Sequence, residues 1–220
     1  MLEVRGLAKS FAAGARLFDG VDLEVKRGEW VAIVGESGCG KSTLLNIVAG
    51  LDSPDRGEVR LDGEALDYRD DDRLALWRRR HVGFVFQAFH LLPYLDVAEN
   101  VALPLSLLGA PASERSRRAH AALAAVGLAP LASRRPGSLS GGEMQRAAIA
   151  RALVHSPALV LADEPTGNLD EASAGAVLRC LGDEVRKAGA AALMVTHSRV
   201  AAASADRVLR LEHGILRPDR

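Results

Sequence analysis

Residues Gly35-Glu36-Ser37-Gly38-Cys39-Gly40-Lys41-Ser42 fit the pattern G-x-x-x-x-G-K-[ST], and they stand between the apolar run Trp30–Val34 and the helical pattern Lys41–Ala49. This context constrains the fold more than any other feature of the chain. A strand that ends in a glycine-rich loop and passes at once into a helix can curl so that several backbone N–H groups point at one anion. The helix N-terminus adds a positive partial charge there. In such a loop Lys41 reaches the β- and γ-phosphates of a nucleotide, and the Ser42 hydroxyl is a magnesium ligand. A glycine-rich turn that merely happens to precede Lys-Ser would not need the flanking strand and helix.

The rest of the chain agrees with an α/β domain built on a largely parallel sheet, because short apolar runs alternate with helical patterns. Strands are expected at Leu2–Leu7, Val21–Val25, Trp30–Val34, Glu58–Leu61, Val82–Phe86, Leu159–Ala162, Ala192–Val195 and Arg207–Leu211. Leu159-Val160-Leu161-Ala162 shows no polar alternation, as a strand covered on both faces requires. Helices are expected at Lys41–Ala49, Asp71–Arg79, Ser113–Val126, Gly141–Val154 and Glu171–Lys187. Between about Ala88 and His155 helices and loops occur without a convincing strand, which predicts a helical subdomain (88–155) inserted between two parts of a core (1–87 and 156–220).

Asp163 and Glu164 follow the buried strand Leu159–Ala162. A carboxylate at the C-terminal end of a strand near a phosphate loop is placed to hold Mg²⁺, and the adjacent Glu164 is placed to orient or deprotonate an attacking water. Leu139-Ser140-Gly141-Gly142-Glu143 reads locally as a helix start, with Ser140 capping and Glu143 at the third helical position. Two bare glycine amides at that start make it a second candidate anion site.

Composition narrows the function classes. The 28 Lys and Arg balance the 28 Asp and Glu, which argues against a general nucleic-acid binder, since phosphate affinity comes from excess positive charge. No stretch without a charged residue is longer than Ala119–Ser133, which falls short of the ~20 apolar residues of a spanning helix and contains Pro130. No secretory leader is evident before Leu2–Val4, and the two cysteines, Cys39 and Cys180, make no disulfide framework, so a reducing compartment fits.

Taken with these motifs, the chain resembles the ATP-binding-cassette ATPases over essentially its whole length. The phosphate loop, Leu139–Glu143 as the signature sequence, and Asp163–Glu164 stand in that family's order. Gln87 resembles the Q-loop glutamine, Gly167-Asn168-Leu169-Asp170 the D-loop, and His197 after Leu193-Met194-Val195 the switch histidine. Phe11 stands where the family places an aromatic residue on adenine. Leu161–Asp170, with Phe86-Gln87 and His90-Leu91-Leu92-Pro93, is similar to the lipoprotein-release and macrolide-export branch (LolD/MacB-like). Cys39 and Met144 depart from the commonest pattern without removing a reacting group.

The resemblance implies a P-loop NTPase (RecA-like) core with an antiparallel β edge and an inserted α-helical subdomain. It implies ATP and Mg²⁺ as the bound species, with Gly35–Thr43 (Glu36, Ser37, Gly38, Cys39, Gly40, Lys41, Ser42 and Thr43 included), Phe11, Ser140, Gly141, Gly142 and Asp170 around the nucleotide. Ser42, Gln87 and Asp163 would serve the metal. Glu164 would be the general base, with Lys41, His197 and Gln87 also acting in the reaction. Two copies would close head to tail on two ATPs, as a peripheral unit on the cytoplasmic face of a bacterial inner membrane. A separate pair of membrane permease subunits would be driven, to export or extract a lipoprotein or amphipathic substrate. The alternative is a mechanotransmission or cell-division complex that regulates a cell-wall hydrolase. The apolar loop Ala88–Tyr94 would either meet the membrane partner or pack as subdomain core.

Overall fold

The computed structural model describes residues 1–10 and 16–219. Phe11 therefore lies outside the described residues. Two sheets and seven α-helices account for most of the described chain. The larger sheet has six strands in the order β10 (Ile215–Pro218), β9 (Arg207–Glu212), β3 (Trp30–Val34), β8 (Ala191–Val195), β7 (Leu159–Asp163) and β6 (Val82–Phe86). All neighbours are parallel except β9 and β10. The smaller sheet is antiparallel, with β2 (Arg16–Val25), β1 (Leu2–Ser10), β4 (Arg56–Leu61) and β5 (Glu64–Ala65) in that order.

The central strands are apolar on both faces because each face has its own core. Along β3, Val31 and Ile33 join one cluster while Trp30, Ala32 and Val34 join the other. The same alternation runs through Leu159–Ala162 and Ala191–Val195. The first cluster packs the parallel sheet against α1 (Lys41–Val48) and the antiparallel sheet. The second packs it against α3 (Val97–Leu107), α4 (Ala112–Ala125), α5 (Gly141–Leu153), α6 (Glu171–Ala188) and α7 (Arg199–Ala202). The remaining helix, α2 (Asp71–His81), is capped by Asp70 and leads directly into β6.

Each helix and strand anticipated from the sequence is present, with ends shifted by a residue or two in most, as fraying ends do. Four elements were not anticipated: α3, β5, β10 and α7. α3 carries Pro104 in its interior, a residue that argues against a helix, yet its start is a full capping box between Asp96 and Glu99. Buried Asn100 in the same helix bonds the backbone of Leu92, Leu95 and Asp96, and so folds the preceding loop onto it. β10 and α7 are four residues each, too short to show a period. No strand occurs among residues 87–158.

Candidate functional site

The C-terminal ends of the parallel strands bring the chemistry-bearing residues to one edge. Phe86, Asp163, Val195 and Ile33 lie in one row of the register. The next residues along the chain are Gln87, Glu164, Thr196 and Val34, the last of which leads into the phosphate loop at Gly35. This edge is where ligands bind in open parallel sheets, since loops that leave it can converge.

The phosphate loop is shaped by close approaches that only glycine allows. A side chain on Gly35 would meet the Leu211 carbonyl oxygen at 2.5 Å. Gly40 sits at φ 105° as the N-cap of α1, and a Cβ there would lie 2.7 Å from Leu17 Cγ. No side chain caps α1 and its first turn holds no acidic residue, so its leading amides keep their positive field. Lys41 is buried, and its ammonium donates to the carbonyl oxygens of Gly35 and Glu36, both at 2.8 Å, with Cys39 Sγ at 3.8 Å. Among the described residues no carboxylate pairs with it. A buried ammonium held only by carbonyls in a ring of amides calls for an anion, and a nucleotide phosphate supplies one.

Ser42 Oγ lies 3.5 Å from Asp163 Oδ1. Burial, and then the neighbouring Glu164 charge, pushes the Asp163 carboxyl up from its ordinary value. The Asp163 carboxylate beside the Ser42 hydroxyl supplies hard-oxygen donors of the kind Mg²⁺ prefers when phosphate oxygens complete its shell. Among the described residues no cluster of three or more His, Cys, Asp and Glu could hold a metal alone.

Glu164 adopts φ 46°, a left-handed turn that a non-glycine residue takes only under constraint. The constraint is visible at the carboxylate. Oε1 accepts from the His197 backbone N–H at 2.9 Å and from His197 Nδ1 at 2.7 Å, while Oε2 accepts from Thr196 Oγ1 at 2.9 Å. A carboxylate only accepts, so the shared proton places the imidazole in its Nδ1–H form with Nε2 left as the outer nitrogen. The Glu164 side chain is 18% exposed and that of His197 72%. The pair thus runs from a sheltered carboxylate to an open imidazole.

The other expected residues occupy neighbouring positions. Gln87 Nε2 donates to Asn168 Oδ1 at 2.9 Å, and Asn168 Nδ2 returns a bond to the Gln87 carbonyl at 3.1 Å. The Gln87 amide is therefore engaged with the segment after Glu164 and makes no hydrogen bond to Ser42 or Asp163 among the described residues. Asp170 caps α6 through the Ser173 N–H. Ser140 caps α5 in a reciprocal box with Glu143, whose carboxyl is held below its ordinary value chiefly by the Ser140 backbone N–H. Gly141 and Gly142 lie against Leu169 and Ser173. No hydrogen bond among the described residues joins them to the phosphate loop of their own chain.

The architecture and this edge can be set beside known proteins. The profile of the ABC transporter family matches residues 18–167. The chain belongs to that family. Over its full length it is 46% identical to the lipoprotein-releasing system ATP-binding protein LolD of Chromohalobacter salexigens, covering 94% of that protein. It is 44% identical to the pyoverdine export ATP-binding/permease protein PvdT of Pseudomonas syringae pv. tomato, but spans only 34% of that longer chain. Among solved structures it is similar to the dimeric ATP-binding cassette MJ0796 in a post-hydrolysis state bound to ADP and Pi. There the identity is 38%, the TM-score 0.85, and the coverage 100% of this chain and 97% of that one. The chain is an ATP-binding, ATP-hydrolysing ABC transporter component.

A second surface feature of the cassette adjoins the Gln87 turn. Phe84, Phe86 and His90 stack in a row, with ring centroids 5.3 and 4.9 Å apart. Phe84 and Phe86 border a groove of about 400 Å³ lined also by Leu103, Pro104, Leu107 and Arg79. The loop Ala88–Tyr94 divides between the two alternatives: Leu91 packs on the core, whereas Tyr94 is 68% exposed. Arg151 fixes the loop by donating to the carbonyls of Phe89 and His90, both in left-handed conformations, and burial lowers its guanidinium pKa.

Thr196, Gln145 and Arg151 were not singled out as site residues from the sequence. Thr196 had a signal, because it sits between an apolar strand and His197. Gln145 offered only a polar residue on an alanine-rich helix face, which is a weak one.

Proposed function

We propose that this cassette hydrolyses MgATP at the C-terminal edge of its parallel sheet, with Glu164 as general base. The observation that carries the reading is the convergence of a carbonyl-held Lys41, the Ser42–Asp163 pair and the Glu164–His197 pair on one row of strand ends. Loop amides and Lys41 bind the β- and γ-phosphates. Ser42 and Asp163 would hold Mg²⁺, which would draw charge from the phosphate oxygens. Glu164 accepts the proton of the attacking water. His197, fixed through Nδ1, presents Nε2 toward the γ-phosphate side, and Thr196 keeps the base in place. Positioning and charge carry the catalysis, since a phosphoryl transition state requires little covalent help.

The site of one copy is one-sided, because among the described residues Ser140–Gly142 makes no hydrogen bond to the phosphate loop of its own chain. Two copies facing head to tail would close each nucleotide between the loop of one and Ser140–Gly142 of the other. The dimeric state of the similar cassette MJ0796 supports this reading. Residues 88–155 form the arm that carries the second face, and 1–87 with 156–220 form the core.

No helix among the described residues is long and apolar enough to cross a membrane. The groove beside Phe84 and Phe86 would receive a cytoplasmic segment of a separate permease pair and hold the cassette at the inner face of the bacterial membrane. The names of the LolD, MacB and PvdT relatives support export or release of a lipoprotein or other amphipathic substrate. The test is specific ATPase activity against protein concentration, followed by co-purification with the membrane partner and release of a lipoprotein from vesicles. Activity per chain should climb with concentration and release should require ATP. Constant activity per chain would refute the two-copy site. Stimulation of a cell-wall hydrolase without lipoprotein release would refute the substrate.

A further inference from the structure

Gln145 joins three segments of the site from inside the core. Its side chain is fully buried, and Nε2 donates to the carbonyl oxygens of Phe86 at 3.1 Å and Pro165 at 2.6 Å. The opposite amide orientation would turn an oxygen toward two oxygens, so these two bonds fix the side chain. Oε1 is buried without a donor among the described residues. A position serving packing alone would be apolar and would leave no such orphan. Phe86 immediately precedes Gln87, Pro165 immediately follows Glu164, and α5, which carries Gln145, begins at Ser140–Gly142.

We propose that Gln145 is a positioning residue for hydrolysis: it fixes the Gln87 turn and the Glu164 turn to each other and to the helix behind Ser140–Gly142. A shift of that helix, as when a second copy engages its N-terminus, is then transmitted to both turns. The Gln87–Asn168 pair ties the same two turns on the exposed side, where water can replace it; the Gln145 tie is dry. This inference rests on the reading of Glu164 as base.

The test compares Gln145→Met, of similar size but with no donor, with Gln145→Glu, whose protonated carboxyl can still serve one carbonyl. At a temperature where each is folded, ATP affinity and KM should stay within about twofold of wild type. The kcat of Gln145→Met should fall by about tenfold or more, roughly 1.4 kcal/mol, with Gln145→Glu between it and wild type. A purely structural role would lower the melting temperature and leave kcat of the folded protein alone. A folded Gln145→Met variant with kcat within about twofold of wild type overturns the proposal. So does a Gln145→Glu variant no better than Gln145→Met, and if the methionine variant does not fold, a Gln145→Glu variant with wild-type kcat does the same. Glu164→Gln is measured alongside. Wild-type turnover in that variant refutes the base reading, whereas an inactive Glu164→Gln with an active Gln145→Met refutes the positioning role alone.

Discussion

Replacing Gly40 by alanine adds one carbon at the tightest point of the phosphate loop. The position has φ 105° and ψ 10°, where an L side chain is strained, at about 1–2 kcal/mol. The new Cβ would also lie 2.7 Å from Leu17 Cγ and 2.9 Å from its Cδ2, an overpacking that costs about 1–3 kcal/mol. The sum, roughly 2–5 kcal/mol, is less than most domains hold in reserve, ~5–15 kcal/mol, so the variant folds. Its loop relaxes away from the shape that points amides at phosphate, and ATP must restore that shape. At about 1.4 kcal/mol per tenfold, affinity should fall by tens to a few thousandfold. Calorimetric titration with ATP measures this directly. Leu17→Ala in the Gly40→Ala background removes the clashing atoms and should recover about 1–3 kcal/mol of binding, leaving only the backbone strain. Wild-type affinity in Gly40→Ala, or no recovery on adding Leu17→Ala, would refute this account of the loop.

Two further outcomes follow from the same edge. Asp163 is raised by burial and then by Glu164; a carboxyl raised on folding costs stability above its folded pKa, and that cost disappears as pH falls through it. Without nucleotide, Asp163→Asn should therefore melt higher than wild type at neutral pH, with the gap closing on acidification, while Mg²⁺-dependent turnover is lost; a lower neutral-pH melting temperature contradicts the assignment. Alkylation of Cys39, which is 3.8 Å from Lys41 Nζ, should block ATP binding, with ATP protecting and Cys39→Ser active and resistant. Cys180 is the internal control, its thiol pushed up to about 11 by burial, and full ATP binding after complete modification of Cys39 would rule the prediction out.

Local sequence reveals what local physics decides. The strand–loop–helix at Trp30–Val48, the capping residue Ser140 and the two-faced strand Leu159–Asp163 are written in consecutive residues. α3 was obscured because Pro104 weighs against a helix in isolation, whereas the capping box and the burial of Val97, Val101 and Leu105 outweigh it in the fold. Gln145 was hidden for another reason. Its partners Phe86 and Pro165 are far away in sequence, so only tertiary packing gives its amide a task. Gln87 was named from the motif, but its bond to Asn168, which spans from one strand end to the turn beyond another, is likewise a product of tertiary packing. Cys39 and Lys41 could be named from the motif, but the carbonyl-held posture of the ammonium could not.

Glu164 carries the account, and its chemical step can be measured alone. Glu164→Gln keeps side-chain volume and an oxygen for Thr196 or His197, yet cannot take a proton from water. Rapid-quench single-turnover hydrolysis at saturating MgATP should show ATP bound with wild-type affinity and the chemical step slowed by about 10²–10⁴-fold, the usual worth of a general base. A chemical step within about threefold of wild type, with ATP fully bound, would contradict the assignment of Glu164 as the base.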